Sequence, residues 1–181
     1  MTLIEFIDVS KDYLNINYNI TIKKNDKLLL TGCNGIGKTT FVKILVNYIK
    51  HDSGTIVKDE LTISYLEELI YLPKYLTANE YIKSIEDITG SYRCNKLMGI
   101  FKIPLNRKIH ELSKGNKQKL AIVARFIGSY DLIVLDEPLN GLDINTKKLF
   151  LDYLEDSNNQ TLLIVTHYPN IYGSSFIELQ L

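Results

Sequence analysis

The chain has 181 residues, enough for one well-cored domain with a small subdomain and too few for two full domains. Lysine plus arginine and aspartate plus glutamate balance at 21 each, so no overall charge footprint points to nucleic acid or to an anionic membrane surface. Cys33 and Cys94 are the only cysteines, which suggests neither a disulfide framework nor a zinc site and fits a reduced cytosolic setting.

The opening MTLIEFIDVSKDY carries acidic residues and no basic region before a long apolar run, so no secretory signal is expected there. It reads as short strands at 3–9 and 15–22, the second alternating Ile16, Tyr18, Ile20 and Ile22, and together they predict an antiparallel layer. Leu28, Leu29 and Leu30 then form an apolar run that leads into Gly32-Cys33-Asn34-Gly35-Ile36-Gly37-Lys38-Thr39, a match to the phosphate-cradling pattern GxxxxGK[ST]. After the loop, Phe41, Ile44, Leu45 and Tyr48 fall at helical spacing, and the helix is expected to give way near His51-Asp52-Ser53-Gly54.

Short strands are expected at 55–57 and 62–66. From Leu69 to about Gly128 the pattern turns helical, with breaks at Pro73, Gly90 and Pro104, and predicts a small helical subdomain whose last helix presents Leu120, Val123, Ala124 and Ile127 on one face. The runs 132–135 and 161–165 read as parallel strands buried on both faces, connected by a helix over 145–155. Strands alternating with helices predict an α/β fold, a P-loop core with an N-terminal antiparallel β layer and a short helical insert at 69–128 within a single domain of residues 1–181.

The chemistry follows from a few spacings. A loop with little Cβ bulk lets successive backbone NH groups and a helix N-terminus converge on phosphates, while Lys38 supplies a point charge and Thr39 a hydroxyl for Mg2+. Asn34, Gly35, Gly37 and Thr40 complete this candidate nucleotide cradle. Asp136 and Glu137 close a buried strand, at the edge where open α/β folds bind ligands. Asp136 is the candidate Mg2+ ligand, and Glu137 the candidate base for the water that attacks the γ-phosphate. A solvated acidic turn is the plainer reading of that pair alone.

At Leu112-Ser113-Lys114-Gly115-Asn116 the sequence resembles the LSGGQ signature of ABC-type ATPases. Glycine loop, signature, LIVLDEP, Gly141-Leu142-Asp143 and Val165-Thr166-His167 follow in the order and approximate spacing of an ABC transporter nucleotide-binding subunit, across essentially the whole chain. The resemblance implies that ATP and Mg2+ are bound and ATP hydrolysed, and that Ser113 and Gly115 meet the γ-phosphate of a second subunit in an ATP-bound homodimer. It implies roles for Asp143 as the D-loop residue, for His167 as the switch histidine and for Tyr13 as the aromatic stacked on adenine. Glu68 falls where the family usually has Gln and is a further candidate for Mg2+, with Glu67 one place off.

Each assignment has a local rival: a helix cap for Ser113 and for Asp143, a surface or packing role for Tyr13, a solvated pair for Glu67 and Glu68. Lys114 and Asn116 depart from LSGGQ, and LSKGN followed by KQKL is similar to exporter-type members. The implied protein is a cytoplasmic ATPase on the inner face of the membrane, docked through its helical insert on a separate transmembrane permease subunit, with no nucleic acid expected. The rival class is a non-transport ABC ATPase acting on nucleic acid or ribosomes.

Overall fold

The structure, a computed structural model, describes all 181 residues. In chain order its elements are β1 (Thr2–Ser10), β2 (Asn17–Lys23), β3 (Lys27–Thr31), α1 (Lys38–Leu45), β4 (Ser53–Lys58), β5 (Ile63–Leu66), α2 (Ala78–Thr89), α3 (Asn95–Phe101), α4 (Lys114–Arg125), β6 (Leu132–Asp136), α5 (Ile144–Glu155), β7 (Leu162–Val165) and β8 (Ile177–Gln180). The alternation in β2 buries Tyr18, Ile20 and Ile22 and turns the residues between them outward. This strand pairs antiparallel with β1, which pairs antiparallel with β4 on its other edge.

A second sheet runs in the order β5-β6-β7-β3-β8, with β3 parallel to both β7 and β8. Its register sets Lys27 opposite Leu162 and Leu30 opposite Val165. Every residue of β3, β6 and β7 is buried, as the continuous apolar runs require for strands covered on both faces.

The chain divides into two compact units. The first comprises Met1–Tyr65, Tyr130–Val134 and Asn158–Leu181. Its core joins both sheets to α1: the Phe41 ring lies 4.8 Å from that of Phe6 and 5.3 Å from that of Tyr18. The second unit comprises Leu66–Ser129 and Leu135–Ser157, so the helical block expected at 69–128 is joined there by the end of β6 and by α5. Within it Phe101, Phe126, Phe150 and Tyr153 form an aromatic cluster, with ring separations from 5.3 to 6.3 Å.

Helix boundaries have local causes. Thr77 and Glu80 close a capping box on α2, and Gly90 ends it in the left-handed region at φ 64°. The expected face of α4 is present, with Leu120, Val123, Ala124 and Ile127 all buried.

Three expectations need correction. α1 stops at Leu45 rather than near His51, because the chain turns at Val46 and enters the left-handed region at Asn47, φ 62°. Tyr48 is therefore not part of the helix's buried face; it is 61% exposed and rests edge-on against Tyr65. Residues 69–77 are not helical, helix beginning only at the Thr77 cap. The edge strand β8 was not expected at all: its four residues lack a buried apolar run, and its pairing partner β3 lies about 150 residues away in sequence.

Candidate functional site

In the first unit, β3 delivers the chain into the glycine loop and α1 receives it. Gly37 caps α1 at φ 119°, a conformation that side chains avoid, and a Cβ there would lie 2.5 Å from the Tyr18 hydroxyl. Both the backbone and the neighbouring strand therefore require glycine. Tyr18 donates to the Gly37 carbonyl at 2.8 Å and is fully buried, so β2 tethers the loop at its last turn. Burial pushes the Tyr18 phenol up to about 12, with a smaller contribution from Tyr13.

Lys38 is buried, and its ammonium is folded back onto the loop, donating to the carbonyls of Gly32 at 2.7 Å and Cys33 at 3.1 Å. Asn34, Gly35 and Thr39 are exposed and Thr40 is half-buried, which leaves the outer rim of the loop open to a ligand. The loop's free amides, the start of α1 and a cation anchored at the loop's mouth together form an anion receptor.

Tyr13 lies in the turn after β1 and is 66% exposed, with the Lys11 ammonium 5.7 Å from its ring centre. Lys11 also pairs with Asp52 at 2.5 Å, and that bond, aided by the Asp12 amide, holds the Asp52 carboxyl below its ordinary pKa. A free aromatic face next to an ordered cation suits a flat, π-rich base. His167 is exposed just beyond β7 and follows the buried Thr166, whose hydroxyl accepts from the Tyr168 amide at 3.1 Å.

In the second unit, Asp136 and Glu137 at the end of β6 are buried, at 6% and 8% exposure. A buried carboxylate pair is costly unless it is held by partners or recruited by a cation, so the solvated-turn reading of these residues does not apply. Glu137 has φ 46°, in the left-handed region, and its carbonyl accepts from the Asn140 amide at 3.1 Å. The tight turn continues through Gly141, φ 77°, to Asp143.

Asp143 caps α5, accepting from the Thr146 amide at 2.9 Å and hydroxyl at 2.7 Å, and also pairs with Lys119 at 3.3 Å. The Thr146 hydroxyl, the Thr146 amide and then Lys119 hold its carboxyl far below the usual aspartate range. Ser113 caps α4, accepting from the Asn116 amide at 3.2 Å. Gly115 has a packing reason of its own: a Cβ would come within 2.8 Å of the Gly141 carbonyl. The first turn of α4, with Ser113 and Lys114 exposed, faces outward as an anion site would require.

Glu67 and Glu68 are both exposed just after β5, and only Glu68 lines a cavity of about 500 Å³. Leu69, Ile70, Tyr71, Leu72 and Ile109 form its apolar wall, while Lys74, Lys114 and Lys117 reach it as cations. Asp136, Glu68 and Thr39, the residues expected around Mg2+, belong to no cluster of three or more His, Cys, Asp or Glu side chains able to hold a metal ion. Thr39 belongs to the first unit and Asp136 and Glu68 to the second; a hydroxyl and carboxylates are the kinds of donor that suit Mg2+, which takes one or two carboxylates and completes its shell with phosphate and water. Two positioning side chains escaped the sequence reading, Tyr18 and Gln118. Each bonds a backbone carbonyl about twenty residues away, and no local pattern marks such a bond.

The family model described as "ABC transporter" matches residues 16–140. Among curated relatives, the zinc import ATP-binding protein ZnuC of Rickettsia bellii is 30% identical over 184 residues, covering 91% of this chain and 76% of its own length. The uncharacterized ABC transporter ATP-binding protein MJ0719 of Methanocaldococcus jannaschii is 32% identical over 81% of this chain, which spans only 26% of that relative. Among solved structures, an ATP binding subunit of an ABC transporter superposes with a TM-score of 0.83 at 26% identity, covering 98% of this chain and 86% of that one. A complex of archaeal ribosomal stalk protein aP1 and the archaeal ribosome recycling factor aABCE1 gives a TM-score of 0.77 at 29% identity, covering 91% of this chain and 34% of that one.

Proposed function

Because the chain belongs to the ABC transporter family, whose nucleotide-binding domains hydrolyse ATP, we propose that it is the ATP-driven subunit of a transport complex whose membrane-spanning part is a separate polypeptide. The observation that carries the proposal is that one chain holds both a lysine-armed glycine loop and, at a strand end, a buried Asp136-Glu137 pair. No helix of the structure is long and apolar enough to cross a membrane, which fits a spanning partner on another chain.

In this reading ATP lies on the glycine loop, with the α1 amides, Asn34, Gly35, Gly37 and Thr40 around its phosphates and Tyr13 against its base. Lys38 exchanges the carbonyls of Gly32 and Cys33 for the outer phosphate oxygens. Thr39 and Asp136, with Glu68, would hold Mg2+, which when bound would neutralise charge on the phosphates. Glu137 takes a proton from the attacking water as its oxygen bonds to the γ-phosphorus and the bond to ADP breaks; His167 steadies the γ-phosphate and that water. Ser113 and Gly115 complete the phosphate shell of a second copy, and Asp143 lies at that dimer junction.

The apolar cavity with its lysine rim, next to Glu68, supports a dock for the spanning partner on the helical unit. Transport direction follows from that partner: exporter-like letters in LSKGN and the zinc-import name of a relative are both compatible with one ATPase chemistry. The likeness to aABCE1 favours a second reading, a non-transport ATPase acting on ribosomes or nucleic acid, against which stands the neutral charge balance of 21 and 21. Fractionation of the native protein after gentle solubilisation separates the two. Recovery with a membrane protein companion supports the transport reading; recovery only with ribosomes or nucleic acid overturns it.

A further inference from the structure

The segment from Glu137 to Asp143 is fastened to helix α4 at three points. Gly115 abuts the Gly141 carbonyl so closely that a Cβ would lie 2.8 Å from it. Gln118, 7% exposed, donates its side-chain amide to the Pro138 carbonyl at 3.0 Å. Lys119 pairs with Asp143 at 3.3 Å. Positions three and four apart share one side of a helix, so the three anchors form a single seam.

Of the three, the Gln118 bond stands next to the carboxylate that matters for hydrolysis. Glu137 has a left-handed backbone, φ 46°, which a glutamate does not adopt unless its surroundings impose it. It also precedes a proline, which restricts its ψ, and Pro138 itself has no NH with which to bind the turn. The turn is held instead through carbonyls: that of Glu137 by the Asn140 amide at 3.1 Å, and that of Pro138 by Gln118. The first is a bond within the turn, whereas the second ties it to another element. A buried carbonyl deprived of its donor bears the full desolvation cost of that group, a cost the turn relieves by shifting, and Glu137 is one peptide bond away from it.

We propose that Gln118 is a positioning residue for hydrolysis: from α4 it clamps the Pro138 carbonyl and so holds the Glu137 carboxylate in its buried, left-handed setting. The proposal rests on the reading of Glu137 as the general base. It assigns Gln118 no contact with nucleotide, so binding and chemistry respond differently to its loss. A base misplaced by roughly 1 Å is able to lose about 10²-fold in rate.

The test uses the purified full chain and compares Gln118→Met, which keeps the length of the side chain and removes both donors, with the parent, with Glu137→Gln and with the double variant. For Gln118→Met we expect kcat to fall about 10- to 100-fold while the Kd for Mg-ATP moves less than about twofold. In the Glu137→Gln background the same substitution should lower the residual rate by less than about twofold, because the base it positions is already gone. Three results overturn the proposal: kcat within twofold of the parent, equal losses in both backgrounds, or a Kd that weakens as much as kcat falls. Parental turnover by Glu137→Gln itself sinks the reading of the base, and the clamp proposal with it, whatever Gln118 does. Should Gln118→Met fail to fold, Gln118→Glu, of the same length and without amide donors, carries the same comparison.

Discussion

Replacing Tyr18 by Phe removes one oxygen from the core of the first unit and little volume, so its effect reports on a single bond. The Gly37 carbonyl it binds also accepts from the Phe41 amide at 2.8 Å, and that second bond survives the substitution. No buried group is left without a partner, so the loss is the net value of one hydrogen bond, about 0.5–1.5 kcal/mol, rather than a full desolvation penalty. For a domain of this size about 2–4 °C accompanies each kcal/mol, which gives a melting temperature lower by about 1–6 °C near neutral pH.

The same substitution carries a pH signature. The folded phenol holds its proton to about 12 because burial disfavours the phenolate, whereas the unfolded one releases it near 10. Between those values the unfolded chain binds fewer protons, so the contribution of Tyr18 is fully present below pH 10 and is lost as pH rises toward 12, by roughly 1.4 kcal/mol per pH unit. The Tyr18→Phe variant lacks this loss. Urea midpoints measured from pH 8 to 11.5 should therefore show the parent more stable at the start and the variant equal or better at the end. A difference that stays constant across the range, or no difference at pH 8, refutes the bond and the argument built on it.

Gly115→Ala should destabilise the second unit and slow hydrolysis, because its methyl group meets the Gly141 carbonyl at 2.8 Å; overpacking of this kind costs about 1–3 kcal/mol, and a variant melting at the parental temperature contradicts the packing. Light scattering on Glu137→Gln should give a dimer with Mg-ATP and mainly monomer without nucleotide. Ser113→Arg, which places a bulky cation at the exposed α4 cap, should keep that protein monomeric while leaving ATP binding to the single chain intact.

What was legible in the sequence is what is written contiguously. The glycine loop, LIVLDEP and the apolar strands carry their reasons within a few residues: a conformation only glycine adopts at Gly37, a burial pattern in Leu132–Asp136, a serine that caps its own helix at Ser113. Tyr18 was readable as a core position of an alternating strand, but not as the tether of a loop 19 residues on. Gln118 lies in a run of lysines and amides that reads as a solvated helix face, and only the fold brings the Pro138 carbonyl to it. β8 escaped for a related reason, being an edge strand of mostly exposed residues that is recognised by its partner rather than by its own pattern. The early end of α1 reflects a backbone turn at Asn47 that overrides the apolar spacing continuing to Tyr48.

The central claim is that phosphate binding and water activation belong to different residues of this chain, and nucleotide binding measured beside steady-state ATPase activity on Lys38→Ala and Glu137→Gln tests it most directly. Lys38→Ala should abolish tight ATP binding, whereas Glu137→Gln should bind ATP as the parent does and lose turnover by roughly 10²- to 10⁴-fold. Parental hydrolysis by Glu137→Gln, or tight ATP binding by Lys38→Ala, contradicts it.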